Sequence, residues 1–501
     1  MINTFSPLFT DFYELVMMQG FLKEGRKNQI AIFDLFYRSN PLGHGYAIFA
    51  GLAQVIEYLK NLKFEESDIR YLRSLNKFDE DFLEYLRDFK FSGTIHSVTE
   101  GSVVFPGEPL VKVTAPIMEC QLIEGMLLNT INHQSLIATK ASRIVQAAAN
   151  DQVVEFGLRR AQSTGAAIYG ARAAIIGGCS VTSNVQAGKM FGLQVAGTHS
   201  HSWVLSFPTE LEAFRSFAKL NPGYCILLVD TYNTLQSGVP NAIKVFDELR
   251  EQGLLTTYGI RLDSGDLAYL SKKARQLLDA AGHKQAVIAA SNDLDENLIA
   301  DLRQQGSKIT LWGIGTHLIT SSGQSSFGGV YKMAAIQDEK GQFIPKIKIS
   351  ESPEKINNPG DKNLIRLYDA ASKKIKADLI TLSHEKIDTN EDLTIFHPTQ
   401  TWKKMTLKKG EFYIKDLLVK IVDNGQIVYK SPSAKEIRAY AITEKESLWD
   451  EFKRITKPHI LPVDLSDELH KLKHDLIDHI YTTSQEMPTG CLQKMHSEQS
   501  E

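Results

Sequence analysis

The chain has 501 residues, 43% of them hydrophobic and 23% charged, with a formal net charge of -3 at pH 7. It is long enough to bury the core of more than one domain, and a charge this close to balance gives the whole molecule no pull towards nucleic acid or an anionic membrane. Four scattered cysteines, Cys120, Cys179, Cys225 and Cys491, form no CxxC pair and have no histidine at zinc spacing, which predicts reduced thiols and no structural metal.

The opening stretch MINTFSPLFTDFYELVMM carries Asp11 and Glu14 inside its apolar run, without a basic leader or a small-residue cleavage site. No signal peptide is read there. Apolar runs elsewhere are interrupted well before the roughly 20 residues that a membrane helix needs, so a cytoplasmic location is expected. QIAIFDLFYR (29–38) reads as a strand, and YAIFAGLAQVIEYLKNL (46–62) has apolar residues at helical spacing. Two short charged helices follow. Residues 92–116, SGTIHSVTEGSVVFPGEPLVKVTAP, are short β segments cut by Gly and Pro turns, like half of a lipoyl- or biotinyl-type sandwich. The tip here is FPGEP rather than a cofactor-bearing lysine, so the unit reads as scaffold. Residues 118–148 read as one or two long helices.

Between 150 and 335 the β-branched runs QVVEFG, LQVAG, YCILLVD, TTYGIRLD, AVIAAS and KITLWGIG alternate with amphipathic segments such as TELEAFRSFAKL and LAYLSKKARQLLDAA. Strand then helix at this spacing means parallel strands with crossover helices, and six or seven such units suit an irregular barrel better than an open sheet. Residues 338–410 are expected to be loop-rich and lysine-rich. EFYIKDLLVKIVDNGQIVYK (411–430) reads as a hairpin on an Asn-Gly turn, SLWDEFKRI and ELHKLKHDLIDHIYTT as closing helices, and the tail after 485 as disordered. The domains expected are 1–149, an N-terminal α/β unit; 150–370, the barrel; and 371–501, a C-terminal extension that packs back on the first.

In a β/α barrel the loops after the strands converge on one mouth. Each strand end in this chain carries polar residues: Arg159 and Arg160; Thr198, His199 and His201; Asp230 and Thr231; Arg261, Asp263 and Asp266; Ser291 and Asn292; Gly313, Gly315 and Thr316. A lone strand-end Asp is commonly a helix cap, and Asp266 is read as one. Six strand ends in succession argue for a site that takes an anionic, phosphate-bearing substrate. GIGT followed by His317 offers glycine N–H groups to phosphate oxygens, Arg159 and Arg261 can fork onto a carboxylate or phosphate, and Asp230 and Asp263 suit ribose hydroxyls or Mg2+. His199 and His201, two apart in an expected strand, point the same way, so geometry leaves them equal.

The segments TDFYELVM (10–17), FGLRRAQ (156–162), SNVQAGKMFGLQVAGTHSHSWV (183–204), LVDTYNT (228–234), IRLDSGDL (260–267), GIGT (313–316) and GGVYK (328–332) resemble the nicotinate phosphoribosyltransferase family, in order and over nearly the whole chain, weakening after about residue 370. The resemblance implies a type II phosphoribosyltransferase fold: an irregular α/β barrel with an N-terminal α/β domain that includes a small β-sandwich, plus a C-terminal extension, assembled as a homodimer with shared sites. It implies transfer from phosphoribosyl pyrophosphate to nicotinate, coupled to ATP hydrolysis through a phosphohistidine, with Mg2+ and no organic cofactor. The family's phosphorylated histidine closes the pattern Gly-Thr-x-small-His-Ser and falls on His201, which leaves His199 as a packing neighbour. Tyr13 is implied to stack on the pyridine ring from the partner subunit. Arg159 and Arg261 are assigned to carboxylate and phosphates, Asp230 and Asp263 to ribose and magnesium, and Gly313, Gly315 and Thr316 to the 5′-phosphate. Thr198, Ser291 and Asn292 complete the implied substrate contacts. Ser183 stands where nicotinamide-specific relatives carry an aspartate, and a neutral residue there favours nicotinate. Rival readings are a nicotinamide or quinolinate phosphoribosyltransferase of the same fold, and an inactive phosphate-binding barrel with a regulatory role.

Overall fold

The computed structural model describes residues 6–149, 151–350 and 355–485; the tail read as disordered, with Cys491, lies outside them. Three sheets organise the molecule. The first has seven antiparallel strands in the order Phe343–Pro345, Gly329–Gln337, Ile30–Tyr37, Val111–Pro116, Thr94–Ser97, Val419–Asp423 and Gln426–Ile427, so distant stretches of sequence meet in one layer. The 92–116 segment serves as scaffold there, two of its strands lying side by side in this sheet and Val103–Val104 pairing with Ala47–Ile48. The second sheet has six parallel strands in the order Val181–Thr182, Gln152–Glu155, Leu311–Ile314, Val287–Ala290, Thr257–Leu262 and Tyr224–Leu228. Its two edge strands are not paired with each other, so this is an incomplete barrel, the irregular α/β architecture expected. A large apolar cluster that includes Leu227, Ile260, Ile288 and Trp312 fills it.

Several local expectations change. LQVAG forms no strand: Gly192 ends the preceding helix in the left-handed region at φ 64°, and Val195 makes only an isolated bridge to Thr182. The place in the sheet is taken by Val181–Thr182, too short to show in the sequence pattern. The helix expected over 46–62 is confined to Leu52–Asn61, after the Ala47–Ile48 strand and Gly51 at φ 108°. Residues 118–148 resolve into Ile117–Leu122 and Glu124–Ala148.

The segment read as loop-rich contributes Lys362–Asp369 and Ile375–Leu382 to a third, six-stranded sheet. Charges at core positions hide these strands from hydropathy: Arg366 is fully buried between Asp378 at 2.6 Å and Glu444 at 2.8 Å, and Lys362 pairs with Asp34 at 2.7 Å. The 411–430 hairpin shrinks to Val419–Asp423 against Gln426–Ile427 across Asn424 and Gly425, both at positive φ as such turns require; Phe412–Asp416 joins the third sheet instead. SLWDEFKRI gives only the single 3-10 turn Asp450–Lys453. A full helix, Ala434–Glu446, precedes it, and its Ser433/Glu436 capping box is a signal that the sequence does carry.

Helix Phe12–Lys23, which presents Tyr13, also holds a buried acid. Glu14 is fully buried, accepts from the Thr10 hydroxyl and from the Asp11 N–H at 3.0 Å, and keeps Oε1 without a partner. Burial pushes its carboxyl up to about 8 from the ordinary 4.5. A native value above the unfolded one means that its contribution to stability is complete below pH 4.5 and is lost as the pH climbs through about 8. Glu14→Gln is therefore expected to raise the melting temperature at about pH 9 more than at about pH 5. An equal shift at both would show that Glu14 titrates normally.

Candidate active site

Because the six barrel strands are parallel, their carboxyl ends lie along one rim. Glu155 stands opposite Ile314 and Thr182, Ala290 opposite Leu262 and Trp312, and Leu228 opposite Arg261. Ser183, Asp230, Asp263, Ser291 and Gly315 follow these positions within two residues, while Arg261 and Gly313 lie in the strands themselves.

The two histidines separate completely. No strand runs through them; His201 is the first residue of the short helix His201–Leu205, and His199 precedes it. The expectation that they point the same way therefore fails, since helix entry turns the chain between them. His199 is buried against Phe217 and Phe214, with ring centroids at 4.7 and 6.0 Å. The Leu228 N–H donates to its Nε2 at 3.2 Å, so the proton sits on Nδ1, which faces the Ser200 carbonyl at 3.3 Å. Burial pushes its pKa down to about 4. Both ring nitrogens of His199 are thus committed to the fold. The His201 side chain is 40% exposed, its Nδ1 lies 3.1 Å from the Thr231 hydroxyl, and its Nε2 faces two carboxylates, Asp263 at 3.7 Å and Asp230 at 3.9 Å.

Those carboxylates are held rigidly. Asp230 Oδ2 accepts from the Asp263 N–H at 2.8 Å and from the Ser264 hydroxyl at 2.6 Å, while Oδ1 is buried without a partner. Asp263 accepts from the Ser291 hydroxyl. An orphaned buried oxygen is uncommon and asks for a ligand. With Asp263 beside it, this is a pair of hard oxygens suited to Mg2+, so the residues present fit the ion.

Arg261 lies across the same rim, donating to the His199 carbonyl at 2.8 Å and keeping a buried Nε without a partner. Burial lowers its pKa, opposed by Asp263 and Asp230 and reinforced by the charge of Arg159. Arg159 is exposed in the single turn Leu158–Arg160. Asp266 caps its helix, accepting from the Tyr269 N–H at 2.9 Å.

Ser183, half-buried, follows the Val181–Thr182 strand and donates its N–H to the Glu155 carbonyl at 2.9 Å. The Thr198 hydroxyl turns to the His199 carbonyl at 3.3 Å. Gly313 packs where a Cβ would collide with the Phe156 ring, and Gly315 opens the one-turn helix Thr316–Ile319. Asn292 is exposed at φ 90°, an unusual backbone for a non-glycine residue. Tyr13 stands apart. It is 48% exposed on its helix, with Glu124, Glu14 and Asp11 as charged neighbours, and burial of its hydroxyl with their charge pushes its pKa up to about 12. Phe9, Phe12, Val16 and Met17 are exposed beside it.

Two residues of the rim were not singled out by sequence. Glu155 ends its strand as a fully buried carboxylate, and Thr182 lies in a strand too short to recognise. An acid closing a run of apolar strand residues is the signal that Glu155 offers.

Residues 8–132 match the model of the nicotinate phosphoribosyltransferase N-terminal domain, 152–371 that of the nicotinate phosphoribosyltransferase family, and 361–473 that of its C-terminal domain. A Bacillus subtilis relative named nicotinate phosphoribosyltransferase is 45% identical over 479 residues, covering 96% of each chain, and a Homo sapiens relative of the same name is 32% identical, covering 94% of this chain and 96% of its own. The crystal structure of human nicotinic acid phosphoribosyltransferase superposes with a TM-score of 0.82 at 30% identity over 93% of this chain and 99% of that one. A nicotinate-nucleotide pyrophosphorylase from Pyrococcus furiosus shares the fold, with a TM-score of 0.66 at 21% identity over 88% and 95% of the two chains. By sequence along its whole length and by fold, the chain belongs to the nicotinate phosphoribosyltransferase family.

Proposed function

We propose that this chain transfers the phosphoribosyl group of phosphoribosyl pyrophosphate to the ring nitrogen of nicotinate, giving nicotinate mononucleotide and pyrophosphate in NAD salvage, and that ATP hydrolysis is coupled to this through phosphorylation of His201. The observation that carries the reading is the exposed His201 imidazole facing Asp230 and Asp263 at the barrel rim. The C1–O bond to pyrophosphate breaks as the pyridine lone pair forms the C1–N bond, and the bonding electrons leave with pyrophosphate. A pyridine nitrogen has no proton to lose, so no general base is needed. The chain's task is to position the nucleophile and stabilise the separating charges. Arg261 and Arg159 hold anionic groups, Asp230 and Asp263 hold the ribose and would hold Mg2+, and the turn at Gly313, Gly315 and Thr316, with Thr198, Ser291 and Asn292, completes the cradle. Mg2+, when bound, supplies positive charge against the departing pyrophosphate.

Pyrophosphate release with nicotinate, nicotinamide and quinolinate, each with and without ATP, tests this. ATP-stimulated turnover with nicotinate is expected. Preference for quinolinate without ATP stimulation would support that rival, and no turnover at all an inactive barrel. Ser183→Asp is expected to weaken nicotinate use by about 1 to 3 kcal/mol, since a carboxylate facing the substrate's own repels it; an unchanged preference for nicotinate over nicotinamide removes Ser183 from the specificity site.

The exposed apolar residues around Tyr13 support a homodimer in which Tyr13 enters the partner's site. Mixing Tyr13→Ala subunits with Asp263→Ala subunits is then expected to restore one intact site per mixed dimer. No recovery in a verified heterodimer would place Tyr13 elsewhere. Buried, unpaired Cys120, Cys179 and Cys225 accord with the reducing cytoplasm as its compartment.

A further inference from the structure

Glu155 closes the Gln152–Glu155 strand as a fully buried carboxylate whose charge is met by hydrogen bonds rather than by a cation. Oε1 accepts from the Gly157 N–H, and Gly157 opens the turn Leu158–Arg160 that carries Arg159. A side chain on Gly157 would collide with Ile319, so the turn has no room to drift. Oε2 accepts from the Thr182 hydroxyl at 2.5 Å, and the same hydroxyl accepts from the Asn184 N–H at 3.0 Å. Between Thr182 and Asn184 sits Ser183, whose own N–H donates to the Glu155 carbonyl at 2.9 Å. One residue therefore ties the Arg159 turn to the Ser183 loop through both its carboxylate oxygens and its backbone.

We propose that Glu155 is a positioning residue that fixes Arg159 and Ser183 relative to one another and so shapes the seat of the nicotinate carboxylate. The inference rests on the functional reading above, in which Ser183 faces that carboxylate and Arg159 holds an anionic group. Its chemistry is that of a double acceptor. Gly157 presents an N–H and Thr182 an O–H, and each carboxylate oxygen accepts one of them. A glutamine keeps one acceptor oxygen for these two donors, so if it holds the Gly157 bond its NH2 group faces the Thr182 oxygen and the hydroxyl proton must turn away. Thr182→Val keeps the shape of the side chain but removes the hydroxyl, and with it both the bond to Glu155 and the one from the Asn184 N–H, whereas Thr182→Ser keeps the hydroxyl.

The experiment measures steady-state kinetics and melting temperature for Glu155→Gln, Thr182→Val and Thr182→Ser in the full chain. Thr182→Val and Glu155→Gln are expected to raise KM for nicotinate about tenfold, with kcat and KM for phosphoribosyl pyrophosphate changed less than about threefold, as displacement of a binding group at constant chemistry does. Thr182→Ser is expected to stay close to the wild type. A folded Thr182→Val protein with unchanged KM for nicotinate would overturn the proposal, as would an equal rise in KM for both substrates, which marks general loosening of the rim. Should Glu155→Gln fail to fold, the Thr182→Val and Thr182→Ser pair decides alone. A wild-type protein without turnover on nicotinate defeats the functional reading and this inference together, while wild-type turnover with an unmoved Thr182→Val protein defeats only the inference.

Discussion

Asp230→Asn is expected to lower kcat/KM for phosphoribosyl pyrophosphate by about 10²–10³-fold, on the scale of losing one preorganised charged group at a reacting centre. Its Oδ2 is engaged by the Asp263 N–H and the Ser264 hydroxyl, so an asparagine can keep these two bonds only by presenting its carbonyl to them. The NH2 group is then left where the buried, unpartnered Oδ1 stands, aimed at the space shared with His201 and Asp263. A position suited to a cation becomes one that repels it. The same substitution at Asp263, half-exposed and bonded through Ser291, is expected to cost less. The check is kcat/KM over a magnesium series, with melting temperatures to confirm folding. Wild-type activity in a folded Asp230→Asn protein would remove Asp230 from any ribose or magnesium role.

The rim was legible because its information is local. A strand end followed by a polar residue is a pattern within ten residues, and the parallel order of the sheet turns five such patterns into one surface. Asp230, Arg261, Asp263 and Ser291 need nothing more to be found together. The histidine pair needed more, since the choice depended on whether the chain entered a helix at Ser200, and Gly192, at positive φ just before the expected strand, speaks only for a break, not for the helix that follows. Glu155 was missed for a different reason: as an acid at the end of an apolar strand it reads as punctuation, and its hydrogen bond to Thr182 spans 27 residues. The third sheet was least legible of all. Its strands carry Lys362, Arg366 and Asp378 at buried positions, and these charges look like solvent-facing residues until partners such as Asp34 and Glu444, hundreds or tens of residues away, are seen to satisfy them.

His201→Ala is expected to bring ATP stimulation of transfer to unity while leaving slow turnover on phosphoribosyl pyrophosphate, whereas His199→Ala is expected to keep the stimulation. The physical argument turns on which nitrogen has a lone pair to give. A neutral imidazole attacks phosphorus through its unprotonated nitrogen, and the lone pair of His199 is already taken by the Leu228 N–H inside an aromatic cradle. With its pKa pushed down to about 4 by burial, His199 stays neutral at working pH and stays in that bond. Losing it removes an acceptor and leaves a cavity, a stability cost of about 1 to 3 kcal/mol, seen in the melting temperature rather than in the coupling. His201 is bonded only at Nδ1, through a hydroxyl that can donate or accept, and is open to solvent. Under the proposed function, removing it takes away the phosphoryl acceptor and leaves Arg261, Asp230 and the glycine turn in place, so transfer is expected to persist uncoupled. Labelling with γ-labelled ATP is expected to give an acid-labile, base-stable adduct that disappears in the His201→Ala protein. Label kept there and lost in His199→Ala would show that the helix entry opens in solution and exposes the other ring.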